Sequence, residues 1–485
     1  MACQPRGHLT ALQIGSKDVA HIEEERAPVT VASINLENAS TLEAGRQFPP
    51  DFLWGSATSS YQIEGAAEID GRGESIWDRF CDVPGAIKDG SNGDVACDHY
   101  HRYPEDIALM RRLNLNAYRF SIAWPRILPN GTGQVNQVGL DFYDRLVDAL
   151  LAAGIQPFPT LYHWDLPQVL EDKGGWPARA TAEAFADYAE VVVARLGDRV
   201  TDWMTLNEPF VSAYLGHLTG EHAPGRRSLP DCLAASHHLL VGHALAMERV
   251  RAAAPGAKVG IVLNFTPVTP IGRSPAARDR QQLVDELNNH WYVDPIGGLG
   301  YPQYSVDRLA WERREVRSGD MDLIARPIDV LGINFYTRQM VGALEGERED
   351  RGAATAMDWE IHPSALGDLL RGLHDRHRFP RYLITENGAA MPDNVRVDGR
   401  VIDTDRLEYI AAHLGQVHQA MEDGVPIEGY FAWSLLDNFE WAYGYGPKFG
   451  LVAVDMETQH RTPKQSALWY AEVARTGEIR PAPHP

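Results

Sequence analysis

The feature that most restricts how this chain can fold is an alternation. Eight short apolar or β-branched runs, at 52–58, 117–122, 156–162, 202–206, 258–264, 330–334, 381–385 and 427–433, are separated by segments with helical spacing. The spacing is clearest where Tyr143, Leu146, Val147, Leu150 and Leu151 recur three and four residues apart and stop at Gly154. Residues 184–196, 233–254, 407–421 and 466–474 repeat the pattern. Such alternation implies right-handed βαβ units and a parallel sheet. Eight repeats favour closure into a barrel over an open doubly wound sheet. No glycine-rich phosphate loop follows the first run, which weakens a nucleotide-binding alternative. A minimal barrel takes about 250 residues, so of the 485 here roughly 200 fall to tail and loop insertion, the largest insertion running over about 265–329. The expectation is one α/β domain, a (β/α)8 TIM barrel with extended βα loops over 47–478, between a flexible N-terminal tail at 1–46 and a C-terminal tail at 479–485.

Charge narrows the partners. Asp and Glu outnumber Lys and Arg by 66 to 45, so the surface repels nucleic acid and anionic membranes and suits neutral small molecules. Cys3, Cys81, Cys97 and Cys232 form no CxxC pair and no zinc-like spacing, which points to a reducing compartment. Gln13, Ser16, Lys17, Asp18 and the acidic cluster from Glu23 interrupt any signal-like apolar stretch, and no window reaches the roughly 18 apolar residues of a membrane span. The expected location is cytoplasmic, with no membrane or nucleic-acid partner; association into a homo-oligomer stays compatible with this reading.

Two glutamates stand just past strand-like runs: Glu208 in Thr205-Leu206-Asn207-Glu208-Pro209 and Glu386 in Ile384-Thr385-Glu386-Asn387-Gly388. Strand ends are where a barrel keeps its chemistry. A single glutamate there is most often a solvated rim residue. The company counts for more: Asn207 and Asn387 flank the pair with amides, and Trp203, His163, Trp164, Trp433 and Trp441 recur near other strand ends. Two carboxylates on opposite sides of a scissile bond are the minimal apparatus for cleaving a glycoside.

The ordered series FLWGSATSSYQIEGA from Phe52, YRFSIAWPRI from Tyr118, HWDLP from His163, TLNEP, GINFYT from Gly332, ITENG, and WSLLDNFEW from Trp433 resembles glycoside hydrolase family 1, the retaining β-glucosidases and β-galactosidases. The resemblance runs from about Phe48 to Ala474. It implies Glu208 as acid/base and Glu386 as nucleophile, with Arg119 and Tyr336 beside the nucleophile. It implies a sugar pocket of Gln62, His163, Trp164, Asn207, Asn334, Tyr336, Trp433, Glu440, Trp441 and Phe449, with Trp433 as an apolar floor and Trp359 near the leaving group. The implied activity is hydrolysis of terminal non-reducing β-D-glucosyl residues, from cellobiose and from aryl and alkyl β-glucosides, with β-galactosidase and β-fucosidase side activity. A 6-phospho-β-glucosidase and a catalytically silent sugar-binding protein are the alternatives. Phosphorylated substrates are disfavoured because Glu440 sets a carboxylate where a phosphate would lie, and a silent protein would have lost one of the two glutamates.

No cofactor is implied. Asp98-His99-Tyr100-His101 and His237-His238 invite a zinc reading, but neither has a third ligand at matched spacing, so metal binding is not expected. His99 and His101 are expected to pack near the start of a helix at Glu105.

Overall fold

The computed structural model of the protein describes residues 45–344, 352–393 and 395–480. The expected N-terminal tail lies outside the described residues through position 44, as do 481–485 of the C-terminal one.

Eight parallel strands close on themselves: β1 (Leu53–Ala57), β2 (Ala117–Ser121), β3 (Gln156–Tyr162), β4 (Asp202–Asn207), β5 (Lys258–Phe265), β6 (Val330–Phe335), β7 (Tyr382–Asn387) and β8 (Ile427–Trp433). Each strand pairs with its sequence neighbours, and β1 closes the ring against β8 with Leu53 opposite Gly429 and Ala57 opposite Trp433. The strands are legible as continuous apolar runs because both of their faces are covered. Inward, Ala57, Ala117, Phe158, Met204, Val262, Val330, Leu383 and Phe431 fill the barrel as one cluster. Outward, alternate residues such as Trp203, Tyr382 and Ile384 join the larger core beneath the helices.

The surrounding helices include α1 (His99–Arg112), α2 (Gln137–Ala152), α3 (Arg179–Leu196), α4 (Leu229–Ala253), α5 (Pro363–His377), α6 (Thr404–Glu422) and α7 (Gln465–Thr476). The expected helix start at Glu105 moves back to His99, where His101 Nδ1 bonds Asp98 Oδ1 at 2.6 Å across the first turn. The insertion after β5 is built, with short helices at Pro275–Asp285, Trp291–Ile296, Gln303–Arg308 and Asp320–Ile324.

Two boundary residues belong to the folded body rather than to tails. The amide of Ile479 donates to the carbonyl of Arg46 at 3.2 Å, the Arg46 guanidinium donates to the Gly415 carbonyl at 2.7 Å, and Ile479 is buried in the main core. An apolar side chain with core to reach stays ordered past the point where helical periodicity ends.

Candidate active site

Glu386 approaches the end of β7 with both oxygens engaged. Arg119 Nη1, from the middle of β2, donates to Oε1 at 2.5 Å, and the Tyr336 hydroxyl donates to Oε2 at 2.6 Å. The carboxylate is 3% exposed. An arginine and a phenol on separate oxygens hold the carboxyl group in one orientation. The Tyr336 hydroxyl is correspondingly reluctant to ionise, pushed well above its ordinary range by burial and then by the charge of Glu386.

Arg119 does more than neutralise. Its Nη2 donates to Asn207 Oδ1 at 2.7 Å and its Nε to Thr160 Oγ1 at 3.1 Å, so the guanidinium is fixed to β3 and β4 as well as β7. Asn207 Nδ2 in turn donates to His163 Nε2 at 3.0 Å. His163 can accept because burial, and then the Arg119 charge, hold the imidazole neutral. Asn334 Nδ2 completes the line, donating to Asn207 Oδ1 at 3.1 Å and to Glu208 Oε1 at 2.6 Å.

Glu208 follows β4 with φ +43°, and the β4–β5 register slips between Met204 and Asn207. On a regular strand Asn207 and Glu208 would face opposite sides. The slip and the left-handed turn let consecutive residues serve the same site. Among the described residues, Glu208 has no ion-pair partner comparable to the Arg119 of Glu386. Burial, followed by the nearby charge of Glu386, raises its pKa to about 8, against the opposing Asn334 hydrogen bond and Arg119. Two carboxyl groups of one residue type thus sit in unlike settings, one on an arginine and a phenol, the other buried on an amide.

An aromatic wall borders this pair. Trp164 and Trp441 lie 4.6 Å apart by ring centroids, His163 stacks on Trp441 and Trp433 at 5.9 Å each, and Trp164 Nε1 donates to the Asn207 carbonyl. Phe449 and Trp433 belong to the barrel-lining cluster, against which Tyr336 and half-buried Trp359 pack. Glu440 is half-buried, and burial followed by the charge of Glu386 raises its pKa to about 8. Gln62 lies in the short helix Ser60–Ile63 and commits its Nε2 to Asn438 Oδ1 and the Phe439 carbonyl at 2.9 and 2.8 Å, anchoring the segment that carries Glu440 and Trp441.

Of the amides and tryptophans noted near the strand-like runs, two stand outside this site. Asn387 turns out of the barrel, donating to the Phe335 carbonyl at 2.7 Å and accepting from Tyr430, because side chains alternate across the strand end. Trp203, near the start of β4, is buried with its Nε1 on the Val200 carbonyl. Conversely Trp77 and Tyr61, which back Trp441 at 4.6 and 6.1 Å, are absent from the sequence reading; nothing in the local pattern distinguishes them from core aromatics.

The histidine pairs are taken up by protein groups. His99 bonds Asp106 at 2.8 Å, and His237 lies between Tyr301 and Asp320 at 2.9 Å each. A further group, His290, Asp294 and His377, brings metal-ligating atoms within 4.8 Å of one another. Arg376 already grips both Asp294 oxygens at 2.9 and 2.6 Å, so this cluster is an ion-pair knot. Among the described residues, no helix is long and apolar enough to cross a membrane.

Residues 44–479 match the family model described as Glycosyl hydrolase family 1. The chain is 46% identical over 439 residues to "Beta-glucosidase A" of Acetivibrio thermocellus, covering 88% of this chain and 98% of that protein. It is 45% identical over 452 residues to the "Bifunctional beta-D-glucosidase/beta-D-fucosidase" of Bifidobacterium breve, covering 87% and 97%. Among solved structures, the β-glucosidase of Thermotoga maritima in complex with glucoimidazole is similar with a TM-score of 0.85 at 45% identity, covering 89% of this chain and all of that one.

Proposed function

Because the chain belongs to glycosyl hydrolase family 1, we propose that it is a retaining exo-β-glycosidase that releases terminal non-reducing β-D-glucosyl residues from cellobiose and from aryl and alkyl β-glucosides. The observation that carries this is the unequal setting of the two glutamates. Glu386 is ion-paired with Arg119 and bonded by Tyr336, whereas burial raises the pKa of Glu208 so that it keeps its proton at neutral pH. In the first step Glu386 attacks the anomeric carbon while Glu208 protonates the departing oxygen. Esterification removes the negative charge of Glu386, one of the causes holding the Glu208 proton. Glu208 then accepts a proton from water as the ester is hydrolysed. Retention requires the two carboxyl groups to stand about 5 to 5.5 Å apart.

The sugar is held by His163, Asn207 and Glu440 through its hydroxyls, with Gln62 Oε1 contributing an acceptor, and by Trp433 and Trp441 through its apolar faces. Trp164, Asn334 and Phe449 shape the pocket, and Trp359 borders the leaving group. The relatives named for β-glucosidase action and the sugar-like inhibitor bound by the Thermotoga maritima enzyme support this reading. The relative named for β-D-fucosidase action as well supports a broader glycone tolerance, with fucosides and galactosides as side substrates. Glu440 opposes a 6-phosphate by like-charge repulsion once both are ionised, and the presence of both glutamates favours turnover over silent binding.

The test is incubation with a slow 2-deoxy-2-fluoro-β-glucoside followed by peptide mapping. The expected result is one sugar added to the peptide holding Glu386; no adduct, or an adduct on a different residue, would overturn the proposal. The pH profile supplies an independent prediction. The acid form of Glu208 is the active one, so kcat/KM for an aryl glucoside should fall as pH rises through about 8. That limb should vanish in Glu208→Gln and persist in Glu440→Gln; a limb that survives in Glu208→Gln belongs to another group.

A further inference from the structure

The mechanism just given assigns Tyr336 as a donor to Glu386, yet Tyr336 lies one residue beyond the end of β6, where the strand ladder no longer fixes the peptide. Its carbonyl accepts instead from a phenol outside the barrel. Tyr409, fully buried on α6, donates through its hydroxyl to the Tyr336 carbonyl at 2.8 Å. The same hydroxyl accepts from Asn387 Nδ2 at 3.1 Å, and Asn387 directly follows Glu386 in the chain. Asn387 is itself held twice more, by Nδ2 on the Phe335 carbonyl at 2.7 Å and by Tyr430, which donates to Oδ1 at 2.6 Å. Tyr409 is rigid on its helix. His413, one turn on, lays its ring against the phenol at 3.9 Å between centroids and bonds the Tyr409 carbonyl through Nδ1 at 2.7 Å.

One phenolic oxygen therefore spans the gap between the two strand ends that meet at the nucleophile. From the inside Arg119 orients Oε1 of Glu386; from the outside Tyr409 fixes the backbone on which the Oε2 donor is mounted. We propose, building on the glycosidase reading above, that Tyr409 is a positioning residue for glycosyl transfer to Glu386, acting through the backbone of Tyr336 without touching substrate. Sub-ångström placement of groups around a nucleophile is worth up to about a hundredfold in rate, and the loss of a single bracing hydrogen bond is expected to cost about tenfold.

The decisive experiment is a double-mutant cycle of Tyr409→Phe and Tyr336→Phe, read as the rate constant for covalent labelling by a 2-deoxy-2-fluoro-β-glucoside, with melting temperatures alongside. Tyr409→Phe should slow labelling about tenfold with little change in the inactivator's binding constant. In the Tyr336→Phe background the same change should cost less than about threefold, because the hydroxyl it serves is already gone. Full multiplication of the two losses, or a Tyr409→Phe protein that labels like the wild type, would overturn the proposal, since a purely stabilising residue lowers the melting temperature without sub-multiplicative kinetics. If Tyr409→Phe does not fold, Tyr409→Met, which fills the site without a hydroxyl, is read through the same cycle with the same two outcomes. A crystal structure of the phenylalanine variant separates this proposal from the glycosidase reading. The distance from the Tyr336 hydroxyl to Glu386 Oε2 should lengthen whatever the substrate proves to be, and an unchanged distance sinks the positioning role alone.

Discussion

Replacing Glu386 with alanine should lower turnover of an aryl β-glucoside by about five to six orders of magnitude, the scale seen when a nucleophile is removed from a unit that acts together. In the proposed mechanism the glutamate supplies the covalent bond in the first step, and the groups bonded or adjacent to it offer no replacement: Arg119 and Tyr336 are donors, and burial raises the pKa of Glu208 to about 8. The variant also strips Arg119 of its buried counter-charge. That guanidinium keeps Asn207 and Thr160 as partners, and leaving a buried charge unpaired costs about 3 to 5 kcal/mol. The melting temperature should therefore drop, and Glu386→Gln, which returns an acceptor but no counter-charge to Arg119, should recover only part of it without recovering turnover. Steady-state assays of both variants beside circular dichroism check this; near-normal hydrolysis by folded Glu386→Ala refutes the assignment.

The second large effect concerns Glu208 and depends on the leaving group. Glu208→Gln should slow hydrolysis of alkyl glucosides by about three orders of magnitude, because an alkoxide does not depart without a proton. A dinitrophenyl glucoside needs almost no protonation, so its first step should slow by about tenfold or less. The isosteric amide keeps its bond partner Asn334, which limits structural loss. Comparing kcat/KM across leaving groups of graded acidity measures the steepness directly. Equal losses on both substrates would assign Glu208 a role other than proton donor.

Particular residues mark how far the sequence could be read. The eight strands were legible almost to the residue because a strand covered on both faces is apolar throughout, and β3 and β8 keep the same bounds in structure as in sequence. α5 escaped the reading, although Leu366, Leu370 and Leu373 face the core with helical spacing: glycines and charged residues between them mask the stripe. The flanking amides looked equivalent and are not. Asn207 lies at the centre of the site, while Asn387 braces the outside of the barrel, and a one-residue register slip in β4 with the left-handed turn at Glu208 makes the difference.

Local pattern and motif order alone determined the class of fold and the family, and put two candidate carboxylates at strand ends, since strand alternation, helical period and short contiguous motifs are written in neighbouring residues. The raised pKa of Glu208, the brace from Arg119 to Glu386 across 267 positions of chain, and the bond from Tyr409 to the Tyr336 carbonyl were decided only when the barrel closed. They arise from burial and from contacts between distant segments, and neither quantity exists until the chain has folded.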